Sequence, residues 1–176
     1  CRGNEERRTD LEARFVAILN EDTTDLAKDY ACRQLATVGS DAVIPALGEL
    51  LPNPRSSHMA RYALEGIGSK QAATALREAI EATPLTPPAF PLIANTSARP
   101  LTTVEAIRAE LTDQLTGQVR WTESMHYGLD AGVTRFIEFG AGEVLTGLMK
   151  RIDRKATRMA INDPESVRAL VAALFA

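Results

Sequence analysis

Cysteine and histidine are scarce in this chain of 176 residues: Cys1 and Cys32 stand 31 positions apart with no CxxC pair, and His58 and His126 are the only histidines. Such a set builds neither a zinc site nor a disulfide framework, so no metal is expected and a reducing cytoplasm is the expected compartment. A basic excess is missing as well. Lys and Arg number 20 against 23 Asp and Glu, a net charge of −3 with no basic run longer than the Arg7-Arg8 pair. Without surplus cations to neutralise phosphates, nucleic acid is excluded as a partner. Long apolar runs are also absent: a stretch such as Leu170 to Ala176 falls well short of the roughly 20 residues that cross a bilayer, so a soluble chain with no membrane span is expected. The chain opens on Cys1 instead of Met. That start reads as a trimmed or excerpted end, with a lipid-modified cysteine after signal cleavage as the alternative. What the sequence does have is 45% hydrophobic residues, enough to bury a sizeable core in one large domain or two small ones.

The first half repeats itself. At an offset of 29 residues, Ala31, Leu35, Gly39, Ser40, Ala46, Leu47 and Glu49 are identical to Ala60, Leu64, Gly68, Ser69, Ala75, Leu76 and Glu78. Each unit reads as helix, turn, helix. Leu26, Tyr30, Ala31 and Leu35 make one apolar stripe, and Val43, Leu47, Leu50 and Leu51 make the next. Gly39 and Gly68 fall at helix ends, Ser40 and Ser69 at the caps of the following helices, and Pro45 about one turn into the second. The pattern resembles the short HEAT-like repeats of helical solenoids over residues 22–82, preceded by a helix carrying Leu11, Phe15, Ile18 and Leu19.

Pro84, Pro87, Pro88 and Pro91 then interrupt the helical pattern, which places a domain boundary between residues 83 and 84. Beyond it strands alternate with helices. Strands are expected at Pro91–Asn95, Phe136–Phe139 and Arg158–Ile161. The helices between them carry Val104, Ile107, Leu111 and Leu115, then Met125 and Leu129, then Val144, Leu145, Leu148, Met149 and Ile152. A capping box at Thr102 and Glu105 starts the first, and Asn162-Asp163-Pro164-Glu165 starts a last helix striped by Val167, Leu170, Val171 and Leu174. This alternation implies a parallel sheet, so the expected fold class is an α-helical repeat segment, residues 1–83, followed by a partial α/β segment, residues 84–176.

Three stretches of the second half, Phe90 to Ala98 (FPLIANTSA), Gln114 to Ser124 (QLTGQVRWTES) and Gly132 to Leu148 (GVTRFIEFGAGEVLTGL), resemble the C-terminal part of the malonyl-CoA:acyl carrier protein transacylase family. The likeness continues through Lys150-Arg151-Ile152 to Asn162. It implies an acyltransferase fold, malonyl transfer in fatty-acid biosynthesis, and malonyl-CoA and acyl carrier protein as partners. Such enzymes use a Ser in a GxSxG elbow, a His that activates it and an Arg that pairs with the malonyl carboxylate. This chain has no GxSxG. The place of the family His falls near Glu65, and neither His58 nor His126 matches it. The stretch that carries the Arg has no counterpart. The one site residue the resemblance carries over is Gln114, at the position whose carbonyl orients the catalytic His. The expected consequence is a chain that is inactive alone.

Other groups carry less chemistry. Cys32 has no neighbouring base in the sequence, and Ser57 falls where a helix cap is expected, so neither serves as a replacement nucleophile. His58 reads as solvated and His126 as packed at a helix flank. Gly140-Ala141-Gly142 lacks the third glycine of a dinucleotide fingerprint, since Leu145 stands there, so no cofactor is expected and the turn is read as one that lets strand and helix pack closely. Lys150, Arg151, Arg154, Lys155 and Arg158 suit a helix C-terminus and would also suit an acidic carrier protein. Three functions stay open: a transacylase-derived segment, a helical-repeat interaction module, and an artificial or misassembled fusion of two fragments. The short strands of residues 84–176 leave edges that call for cover, either from the helical half or from a second copy in a homodimer.

Overall fold

A computed structural model describes residues 4–175, the side chain of Phe175 excepted, so the questions raised by Cys1 lie outside the described residues. The chain divides into two compact units, one ending at Thr86 and the other beginning at Pro87, inside the proline cluster.

In the first unit three of the four long helices start where a short polar side chain satisfies a free backbone N–H. Helix α1 (Glu5–Asn20) is capped by Asn4 and α2 (Asp25–Val38) by Thr24. Ser40 caps a 3₁₀ turn, Asp41–Val43, that leads into a short α3 (Ile44–Gly48). Helix α4 (Ser57–Ile67) ends on Gly68 in the left-handed region (φ +63°), and Ser69 caps α5 (Lys70–Ala82). The offset seen in the sequence therefore relates α2 to α4 and α3 to α5, with Ser40 and Ser69 as equivalent caps. Expected and observed structure part at the second helix of the first pair. It stops at Gly48, and Leu50 and Leu51 lie in turns closed by three-residue bonds to Leu47 and Gly48. Pro52 and Pro54 explain this, because a residue before proline is pushed out of the helical region.

Helix α2 packs on α4, and the apolar residues Ala31, Cys32 and Leu35 on the one and Ala60, Ala63 and Leu64 on the other have no exposed surface. The approach is close at Gly66, where a Cβ would stand 2.6 Å from the Ala36 carbonyl oxygen. Buried Glu12 reaches from α1 to accept a 2.7 Å hydrogen bond from the Ser40 N–H, tying the first helix to the turn after α2.

The second unit carries two small sheets where the sequence suggested one. Strand β1 is only Leu92–Ile93, and it pairs antiparallel with β2, Pro100–Leu101, a segment with no strand pattern of its own. Pro91 has no N–H to extend the ladder, and the chain turns back at once through bonds from the Ala94 N–H to Arg99 and from the Ala98 N–H to Ala94, with Ala98 at φ +54°. Helix α6 (Val104–Asp113) is capped by Thr103, one residue past the expected Thr102: its hydroxyl oxygen accepts from the Ala106 N–H. Helix α7 (Trp121–Asp130) follows. Strand β3 (Arg135–Phe139), helix α8 (Val144–Ile152) and strand β4 (Thr157–Ile161) form a βαβ unit, with β3 and β4 parallel and Ile137 opposite Met159. Asp163 accepts from the Ser166 N–H at 2.7 Å at the start of α9 (Pro164–Phe175). Among the described residues no helix is long and apolar enough to cross a membrane.

Candidate functional site

Gln114 closes the C-terminal end of α6, and its side chain joins a polar cluster that stitches three segments together. One turn earlier on the same helix face, Glu110 is buried. Its carboxylate accepts from the Thr96 N–H at 2.9 Å, the Thr96 hydroxyl at 2.7 Å and the Gln114 amide at 3.0 Å. The Gln114 Oε1 in turn accepts from the Asn95 Nδ2 at 3.1 Å. The Asn95 carbonyl accepts from the Arg120 N–H at 2.7 Å, and the Arg120 guanidinium bonds Glu123 and the Ser97 carbonyl. Gly117 completes the fit, because a Cβ there would stand 2.8 Å from both the Thr96 methyl and the Asp113 carbonyl oxygen. The hairpin turn after β1, the end of α6 and the loop into α7 are thereby fixed on one another, and Gln114 is held at their centre.

The electrostatics follow from the donors. Burial pushes the Glu110 carboxyl up, but the hydroxyl and N–H of Thr96, the Asn95 backbone and the Gln114 amide together hold it below the usual carboxylate range. Glu110 is therefore an ionised strut, unsuited to giving a proton. Its sequence signal was the four-residue spacing to Gln114 on one helix face.

Glu138 plays a similar part at the Gly140-Ala141-Gly142 turn. It projects from β3 to accept N–H bonds from Leu145 (3.1 Å) and Thr146 (2.7 Å) at the start of α8. Those bonds, the Thr146 N–H foremost, hold it below the usual carboxylate range. The helix N-terminus, the natural place for an anion, is filled by the protein's own carboxylate. The glycines themselves answer a conformational need: Gly140 and Gly142 have φ of +134° and +93°, and no atom lies within 4 Å of where their Cβ atoms would stand. The expectation that they admit close packing is thus corrected.

The remaining candidates are scattered. Cys32 is buried in the helical core, where burial and the nearby Asp29 push its thiol up to about 11, so it stays protonated and unreactive at neutral pH. Ser57 is the first helical residue of α4, and the cap position belongs to Ser56, whose hydroxyl donates to the Leu50 carbonyl. His58 and His126 are both exposed; for His126 this replaces the expected packing at a helix flank. Lys150, Arg151, Arg154 and Lys155 are exposed, whereas Arg158 is half-buried and donates from Nη1 to the Asp153 and Ala156 carbonyls. A cavity of about 140 Å³ lies between α7, α8 and the β3–β4 pair, lined by Trp121, Met125, Phe136 and Met149 among others. No cluster of His, Cys, Asp and Glu able to hold a metal ion occurs among the described residues.

No protein-family model matches the chain. It is similar to the malonyl CoA-acyl carrier protein transacylase of Bacillus subtilis, with 37% identity over 105 residues, 60% of this chain and 33% of that protein. It is likewise 40% identical to the enzyme of that name from Escherichia coli over 82 residues, 47% of this chain and 26% of the other. Among solved structures, the acyl-carrier-protein-S-malonyltransferase of Bartonella henselae superposes with a TM-score of 0.57 at 32% identity, over 67% of this chain and 35% of that one. A malonyl-transacylase solved in complex with its type II PKS acyl-carrier protein superposes with a TM-score of 0.56 at 30% identity, over 68% of this chain and 44% of that one. Part of the chain is therefore homologous to malonyl CoA-acyl carrier protein transacylases, and the match spans about a quarter to a third of the length of these curated relatives.

Proposed function

We propose that the second unit is the C-terminal part of an acyl carrier protein S-malonyltransferase, whose reaction moves a malonyl group from CoA to a carrier protein. The observation that carries this is the agreement of sequence and fold, since the relatives found by sequence and the structures found by shape bear the same activity in their names. In this role Gln114 is a positioning residue. Its side chain, held by Asn95 and Glu110, fixes the stretch of backbone whose carbonyl would orient an imidazole. These residues supply no GxSxG serine, no matched histidine and no malonyl-binding arginine. The chain by itself is thus without malonyl-transfer activity. The exposed Lys150, Arg151, Arg154 and Lys155 are the proposed contact for an acidic carrier protein. The helical unit, with its caps repeated at Ser40 and Ser69, is proposed to be a HEAT-like interaction module.

The test is a malonyl-transfer assay from malonyl-CoA to acyl carrier protein, run beside a binding titration of the carrier protein. Transfer at the uncatalysed rate is expected, with carrier-protein binding that weakens at least tenfold in a Lys150→Glu, Arg151→Glu variant. Transfer above background that survives Cys32→Ala and Ser57→Ala overturns the inactive assignment, and the absence of any carrier-protein binding overturns the proposed partner.

A further inference from the structure

A two-stranded parallel sheet is an unusual end point. Parallel strands are ordinarily covered on both faces, and two strands alone bury too little to stand. Here β3 and β4 pair only with each other among the described residues, which leaves one edge of each strand with unmatched N–H and C=O groups. Beside them the apolar surface is continuous in kind. Helix α9 buries Leu170 near β4, yet Val167, Val171 and Leu174, on the same apolar stripe, stay about half exposed. Phe139 at the end of β3 and Val144 at the start of α8 are 72% and 69% exposed. None of these five residues carries charge, so the complement to this face is apolar and offers extended backbone.

We propose that the open edges of the β3–β4 pair, with Phe139, Val144, Val167, Val171 and Leu174, form a docking surface for a polypeptide carrying the rest of the transacylase fold. The commitment to that occupant comes from length. The match takes up 33% of the Bacillus subtilis relative, and the superposition takes up 35% of the Bartonella henselae structure, so about two thirds of each has no counterpart in the matched residues. An open parallel edge is completed by another parallel strand, and the uncovered part of an apolar helix stripe by a neighbouring element. The inference rests on the transacylase assignment proposed above.

The experiment co-expresses the full chain, tagged, with the part of the Bacillus subtilis relative that lies outside the match. The relative's own matched stretch is the positive control. A one-to-one complex by light scattering is expected, with the Val167 and Val171 amides slowed in hydrogen exchange. A Phe139→Asp, Val171→Glu variant alters only exposed side chains and should melt like the parent, yet capture at least tenfold less of the segment. Failure to capture a segment that the control captures overturns the proposal, as does equal capture by the variant. Self-association of the chain that the variant abolishes assigns the face to a second copy and overturns it too. A complex that forms but transfers no malonyl group leaves the docking surface standing and counts against the transacylase assignment. Carrier-protein binding by the chain without segment capture does the reverse.

Discussion

In the helical unit Leu35, Leu47 and Leu64 are wholly buried, whereas in the α/β unit Phe139, Val144 and Val171 stay largely in water. Both units are built from apolar stripes of similar strength, so composition does not explain the contrast. Helices stacked in sequence order close a core from residues close together in the chain. Parallel strands need cover on two faces from elements that the chain between them does not supply. The α/β unit is also tied by a set of carboxylates bonded to backbone N–H groups: Glu110 to Thr96, Glu138 to Leu145 and Thr146, and Asp163 to Ser166. These bonds add to a smaller core of Ala94, Met149, Ile161 and Leu170, which are buried in the second unit.

The sharpest way to break this contrast is to truncate both cores. Leu35→Ala and Leu64→Ala should each cost about 2–5 kcal/mol in denaturant unfolding, while Phe139→Ala, exposed from the start, should stay within about 0.5 kcal/mol. Equal losses at all three would erase the difference between the units.

Removing the charge from the α/β unit comes next. Glu110→Gln should cost about 1–3 kcal/mol, because the Thr96 donors lose a charged acceptor. Its folded-state proton affinity is lowered, so its contribution is present above the ordinary carboxylate pKa of about 4.3 and is lost as pH falls through the lower folded value. Melting midpoints of the parent should therefore fall over that acidic interval more steeply than those of Glu110→Gln. Parallel curves would show that the carboxylate is not the tie.

Spacing sharpens the comparison further. Gly66→Ala places a methyl 2.6 Å from the Ala36 carbonyl oxygen and should cost about 1–3 kcal/mol by forcing α2 from α4. Gly48→Ala meets nothing within 4 Å and should stabilise by about 0.5–1 kcal/mol through the unfolded chain. The smallest effect belongs to the surface: Arg33→Gln removes a 2.7 Å pair with Asp29 and a guanidinium stacked over Tyr62, and should change stability by no more than about 1 kcal/mol.

The helical unit was the more legible of the two. Its caps at Ser40 and Ser69, its helix ends at Gly39 and Gly68 and its buried Leu35 and Leu64 are local features, each decided within a few residues of chain. Pro52 and Pro54 ended α3 early for an equally local reason. In the α/β unit the βαβ element at residues 135–161 was visible for the same cause, since alternating apolar runs and a glycine turn announce themselves. The partner of β1 was not, because Pro100–Leu101 has no strand pattern and becomes a strand only where the turn at Ala98 lays it.

The sequence by itself determined where most helices begin and end and that Gly140 and Gly142 mark a turn. Only the tertiary structure decided that Glu110 is the ion holding Gln114 and that Glu138 fills the α8 N-terminus. It also set the split of the strands into two small sheets. Capping and turn chemistry act between residues a few positions apart, so the order of amino acids encodes them directly. The Thr96–Glu110 bond spans 14 positions and Asn95–Gln114 spans 19, and contacts at that distance exist only once the segments have folded onto one another.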